Sequence, residues 1–197
     1  MDEQAKPKKK IKVSRNIFEH GYLNSIALNQ LQQAKDEEDG HRFRWIIPSM
    51  AFSCFRIEAL CNIYGSQLFP HWEHFESTSF IGKIVLISEF LKVKVDFSAE
   101  PWQTINRMKN FRNTLAHAKP QIASEVHEVP DSFSEHLLPF PKGKKTILWY
   151  SSIENAERFS DVVDEIEMLW MNNARVVGAS VDTSGNRTFE TLTKNHK

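Results

Sequence analysis

Glycine is scarce in this chain, with 7 copies in 197 residues, and proline numbers only 8. So few turn residues over that length argue against a many-stranded sandwich and favour helices. Cysteine is scarcer still: Cys54 and Cys61 are the only two. On one predicted helix they share a face but stand about 10 Å apart along the axis, too far for a disulfide. With no histidine at ligand spacing they give no zinc signal, and they are read as reduced core thiols. Net charge is also missing, because 25 Lys+Arg balance 25 Asp+Glu. Bulk charge therefore does not mark a nucleic-acid binder. No uninterrupted apolar run approaches about 18 residues, so no membrane span is expected. The charged N-terminus is followed by no apolar leader core. Together these absences point to a cytoplasmic protein.

What is present is apolar. Hydrophobic residues make up 41% of the chain and aromatics 11%, with 14 phenylalanines. Such a chain can offset its ordering entropy in one domain-sized core. Residues 1–14 read as a flexible basic arm, with five lysines in positions 6–12. The arm is a solvated tail or a source of sequence-independent phosphate contacts. Residues 15–178 read as a single helical domain and residues 179–197 as a loose polar tail. Within the domain, helical spacing predicts elements over 16–37, 41–68, 79–95, 101–118 and 153–175. Part of 79–95 is rich enough in β-branched residues for a strand. Pro48 either begins the second helix or kinks it. The segment 120–150 has little periodicity and reads as an insertion. Its end, TILWY, is strand-like after a turn at Lys142–Lys144, which suggests a hairpin.

On the second helix Phe52, Phe55, Ala59 and Ile63 gather on one arc, and Ala51, Cys54, Cys61 and Gly65 on a neighbouring arc of small residues. Glu58 and Asn62 lie one turn apart amid the small arc. A carboxylate there needs a cationic or hydrogen-bonding partner. His71 and His74, with Glu73 between them, can serve a metal. No third ligand stands at a diagnostic spacing, so they are read as surface histidines and no metal site is assigned.

The fourth helix is the unusual one. Ile105, Met108, Phe111 and Leu115 form its apolar stripe. Gln103, Asn106, Asn110, Asn113 and His117 fall within about 80° of one another on the opposite side. Solvated faces are normally Lys, Glu and Arg, which form helices better than Asn. A stripe of amides ending in an imidazole is either packed against neighbouring helices or lines a groove or dimer seam. Asn113 and His117 stack one turn apart, whereas Arg112 leaves the helix about 140° from His117. A histidine suits proton transfer in both directions near neutral pH, and the plain alternative is one that hydrogen-bonds the helix's last carbonyls. Lys119 follows just before Pro120, which ends the helix.

Arg112-Asn113-Thr114-Leu115-Ala116-His117 resembles the R-N-x-x-x-H signature of HEPN domains, all-α domains found as ribonucleases in toxin–antitoxin, CRISPR and phage-defence systems. The earlier helix with IEALCN, which holds Glu58, is also similar to that family. The resemblance covers roughly residues 16–175 in helical layout. It implies an up-and-down bundle of about five helices with a small loop or hairpin insertion before the last. It further implies cofactor-free, metal-independent RNA cleavage by attack of the 2′-OH on the adjacent phosphorus. His117 would move the proton, Arg112 would stabilise phosphorane charge and Asn113 would orient His117 or a phosphate oxygen, with Glu58, Asn62, Asn106, Asn110 and Lys119 in support. It implies a homodimer with a composite site, RNA as substrate, and a cognate antitoxin or other protein as partner. The alternative within the same fold is a non-catalytic binding or dimerisation module. Glu58 either pairs with Arg112 as a structural ion pair, the preferred reading, or serves in the site.

Overall fold

In the computed structural model, which describes residues 9–120, 122–139, 143 and 146–192, the apolar stripes become α1 (His20–Asp36), α2 (Phe43–Leu68), α3 (Phe80–Phe90), α4 (Trp102–Ala116) and α6 (Ile153–Val176). A one-turn helix, α5 (Ile147–Tyr150), precedes α6, and two strands, β1 (Lys10–Arg15) and β2 (Arg187–Leu192), flank the helices. The protein is mostly helical, in line with the all-α reading. Two of the long helices start on serine caps. Ser79 accepts the N–H of Gly82 at 3.1 Å and Ser152 that of Asn155 at 3.1 Å, which satisfies donors the first turn would otherwise leave open.

Helix α2 is central and packs against α1, α3, α4 and α6. By length and composition it is the one helix among the described residues apolar enough to cross a membrane, yet 61% of that stretch is buried inside the fold. Its core side is the small-residue arc: Met50, Cys54, Ile57, Cys61 and Tyr64 are buried, whereas Phe55 is exposed. Both thiols are free, as their spacing requires. Pro48 lies inside α2, neither beginning it nor ending it.

The helices are tied by a few polar bonds within the apolar core. The Ser49 hydroxyl donates to the Ala27 carbonyl at 2.8 Å, joining α2 to α1, and Trp170 Nε1 donates to Ser88 Oγ at 2.9 Å, joining α6 to α3. Arg56 of α2, almost fully buried, reaches Asn24 of α1 at 2.9 Å and Asp164 and Glu167 of α6 at 2.5 and 2.8 Å. Phe111 of α4 packs edge-on against Phe159 and Tyr150, with ring centroids 5.7 and 5.8 Å apart. Burying one such ring stabilises the fold by about 2 kcal/mol.

Several expectations need correction. The strand-like TILWY is helical: Thr146 Oγ1 accepts the N–H of Trp149 at 3.2 Å, capping a single turn, and no strand occurs between residues 120 and 150 among the described residues. The proposed turn falls partly on Lys142 and Lys144, which lie outside the described residues. The arm and the tail pair with each other. β1 and β2 are antiparallel, with Val13 opposite Phe189 and Lys12 opposite Glu190, and the charges of the latter pair stand 3.8 Å apart. Alternation of apolar and polar residues in KIKVSR and RTFETL suits such a ribbon. Residues 1–8 of the arm lie outside the described residues. The first helix begins at His20 and the third ends at Phe90, each shorter than its periodic segment.

After α2, residues 72–74 form a tight turn under which the Trp72 ring is buried against Gly65. A Cβ at position 65 would stand 2.2 Å from that ring. Gly65→Ala is therefore expected to cost about 3 kcal/mol, read by urea denaturation. Gly21→Ala, at a position with nothing within 4 Å, should show no such loss.

Candidate functional site

Helix α4 carries the site residues. It starts after Pro101, and Glu100 Oε1 accepts the Thr104 hydroxyl at 3.0 Å across its first turn. Ile105, Met108 and Phe111 are buried, so the amide stripe must face outward. It does: Gln103, Asn106, Asn110 and Asn113 are exposed. Among the described residues, the side chains of Asn106, Asn110, Asn113 and His117 make no hydrogen bond, whereas Gln103 donates to the Ser98 carbonyl at 2.5 Å. The amides are therefore not spent on neighbouring helices.

The helix ends earlier than its sequence suggests. Ala116 is the last helical residue, and His117 occupies the cap with φ −130° and ψ 39°. Its N–H bonds the Asn113 carbonyl at 2.9 Å, but the imidazole departs from the regular stripe. His117 is exposed and does not lie beneath the described part of the 120–150 segment.

Three adjoining depressions run along this face. The first, of about 430 Å³, is lined by Asn106, Lys109, Arg112 and Asn113, with Phe80 and Phe97. The second, of about 370 Å³, is lined by Asn110, Asn113, Thr114, His117, Lys119 and Tyr150, among others. A third, of about 320 Å³, holds Gln103, Asn106, Arg107 and Asn110 against aromatic rings. Asn113 belongs to both of the first two, so Arg112 and His117 stand in neighbouring depressions on either side of it. Among the described residues no aspartate or glutamate lines any of the three. In a chain with as many acids as bases, this groove is locally cationic. The primary structure carries the signal, which bulk charge hides: no acid occurs between Glu100 and Glu125, a run that includes Arg107, Lys109, Arg112 and Lys119.

Beneath the groove lies the partner that Glu58 requires. Glu58 Oε2 accepts from Arg112 Nη2 at 3.1 Å, while its Oε1 is 3.7 Å from Lys83 Nζ of α3. Lys83, only 4% exposed, also donates to Asn62 Oδ1 at 3.5 Å. One carboxylate on α2 thus joins α3 and α4. The Arg112 guanidinium also stands 5.9 Å from the centre of the Phe80 ring. Glu58 engages only Nη2; Nη1 and Nε of Arg112 make no hydrogen bond among the described residues. Burial pushes the Cys54 and Cys61 thiols well above the usual cysteine range. Arg112 and Lys83 respectively oppose that shift, and Glu58 adds to it. Neither is a thiolate nucleophile. Asn62 thus belongs with Glu58 and Lys83, whereas Asn106, Asn110 and Lys119 belong to the groove. Lys83 escaped the sequence reading, although a lone lysine within FIGKIVLI was its trace.

Away from the groove, ligand atoms of His71, Glu73 and His74 come within 4.8 Å of one another, all exposed, with His71 Nδ1 and Glu73 Oε1 at 3.4 Å. No family model, curated protein or solved structure matches this chain.

The tie at Glu58 is testable. Glu58→Ala leaves buried Lys83 without its carboxylate and should lower stability by about 2 kcal/mol in urea denaturation. Glu58→Gln, which keeps an acceptor, should lose less, and adding Lys83→Met to Glu58→Ala should recover part of the loss. A wild-type midpoint for Glu58→Ala would contradict the tie.

Proposed function

We propose that this chain is an endoribonuclease of the HEPN type, acting as a dimer in a toxin or defence role. The observation that supports this most is a groove with no acidic lining residue among the described residues, in which Arg112 and His117 stand in adjoining depressions that share Asn113. An RNA phosphate is the anion that fits a groove of amides, arginine and lysine without carboxylates. In the reaction, a base removes the 2′-OH proton as the 2′ oxygen bonds to phosphorus. The bond to the 5′ oxygen then breaks, and an acid supplies a proton to that leaving oxygen. The products are a 2′,3′-cyclic phosphate and a 5′-hydroxyl end. His117, solvent-accessible at the helix end, is the proton carrier. The free nitrogens of Arg112, held by Glu58 through the third, donate to the phosphorane oxygens. Asn113, shared by both depressions, bridges the two.

Among the described residues that line the groove, His117 is the one imidazole, and base and acid are two roles. A two-fold partner presenting the same α4 face supplies the second histidine and a second arginine. A second reading is supported by the grip of Glu58 on Arg112, which also makes that arginine a structural tie. In it, the groove binds RNA or a protein partner without cleaving.

Labelled RNA incubated with the wild-type protein in EDTA should be cleaved, and His117→Ala and Arg112→Ala should each lose at least about 100-fold in rate. A mixed dimer of the two variants keeps one arginine and one histidine in the composite site, so it should stay well below the wild-type rate, because only one of the acid and base roles is filled. Binding without cleavage on several RNAs supports the second reading, and cleavage retained by both variants refutes the first.

A further inference from the structure

The third depression differs from the other two in its walls. Phe97 and Trp149, 39% and 59% exposed, line it together with Tyr150 and the side chains of Gln103, Asn106 and Asn110. Single exposed aromatics are ordinary on a protein surface. These are at the rim of a cavity whose two asparagines lack side-chain hydrogen bonds among the described residues and which has no acidic lining residue. Trp149 is also anchored. Its helical turn is capped by Thr146, and its ring meets that of Tyr150 edge-on at 4.8 Å. Tyr150 is buried against Phe111, and its carbonyl accepts from Asn155 Nδ2 at 2.9 Å. Asn155 Oδ1 in turn takes Arg107 Nη1 at 3.4 Å, setting that cation in the same wall.

This set of groups matches one ligand chemistry. An unpaired nucleobase offers a π-face to an exposed ring and donors and acceptors along its edge to amides. Its flanking phosphates suit Arg107 and, in the adjoining depression, Lys109. A duplex keeps its base faces stacked inside and cannot present them to Trp149. The third and second depressions share Asn110 and Tyr150, so a base held here lies next to the His117 end of the groove. We infer that this depression is a base-binding subsite, with Trp149 as its stacking platform, that restricts the groove to single-stranded RNA. The inference rests on the ribonuclease reading and adds its substrate class.

The test uses full-length His117→Ala protein, which holds RNA without consuming it. Its affinity is measured by fluorescence anisotropy for a labelled mixed-sequence 12-mer RNA and for the same strand annealed to its complement. The single strand should bind at least about ten-fold more tightly than the duplex. Trp149→Ala in that background should weaken single-strand binding about ten-fold, with Trp149→Phe recovering most of it. Circular dichroism should be unchanged, because Trp149 is exposed. Equal affinity for single strand and duplex overturns the inference, and so does unchanged affinity in Trp149→Ala. If wild type cleaves RNA while Trp149→Ala binds normally, the inference alone falls. If the His117→Ala protein binds neither RNA and wild type cleaves none, the ribonuclease reading falls with it.

Discussion

Glu58 is the group on which the arrangement of the site depends. It sits on the central helix amid small residues, partly buried, with two cations beside it. Lys83 arrives from α3 and Arg112 from α4, and the one carboxylate sets how both helices meet α2. This contact places an arginine at the base of a surface groove and leaves two of its nitrogens open. It also answers a difficulty visible on the helical wheel. Arg112 leaves α4 on a different side from Asn113 and His117, and its pairing with Glu58 explains that direction. The groove is then completed by Asn113, which reaches the depressions on both sides.

A neutral chain can still offer an anion a favourable surface if its charges are segregated. Here the acids are taken up elsewhere. Asp164 and Glu167 hold Arg56, Glu100 and Glu165 hold Arg158, and Glu157 meets Lys35. The stretch from Pro101 through Ser124 has none. Along α4, amides rather than carboxylates fill the outward face, at some expense in helix propensity. They supply donors and acceptors without adding negative charge near a phosphate.

Much of this was legible in the residues. The five long helices follow from apolar periodicity, the need of Glu58 for a cation from its position among Cys54, Cys61 and Gly65, and the amide stripe from spacing alone. What escaped the reading depends on partners distant in sequence or on a single cap. Ile147–Tyr150 has strand-like composition, but the Thr146 hydroxyl closes a helical turn and the core accepts Tyr150. The burial of Lys83 is set by packing of α3 onto α2, which local pattern does not encode. The β1–β2 ribbon joins the two ends of the chain, and neither strand alone offers enough apolar surface to stand out. The helical wheel puts His117 last in the stripe, whereas the helix stops at Ala116 and His117 takes the cap.

The central claim is that the α4 groove cleaves RNA through the proton chemistry of His117 with Arg112 on the phosphate. The most direct measurement is the chemistry of the new ends, read by mass spectrometry of a short defined RNA incubated with purified protein in EDTA. Attack by the 2′-OH should leave a 2′,3′-cyclic phosphate on one fragment and a 5′-hydroxyl on the other. Fragments ending in 3′-hydroxyl and 5′-phosphate would contradict it, since water rather than the 2′-OH would then be the nucleophile.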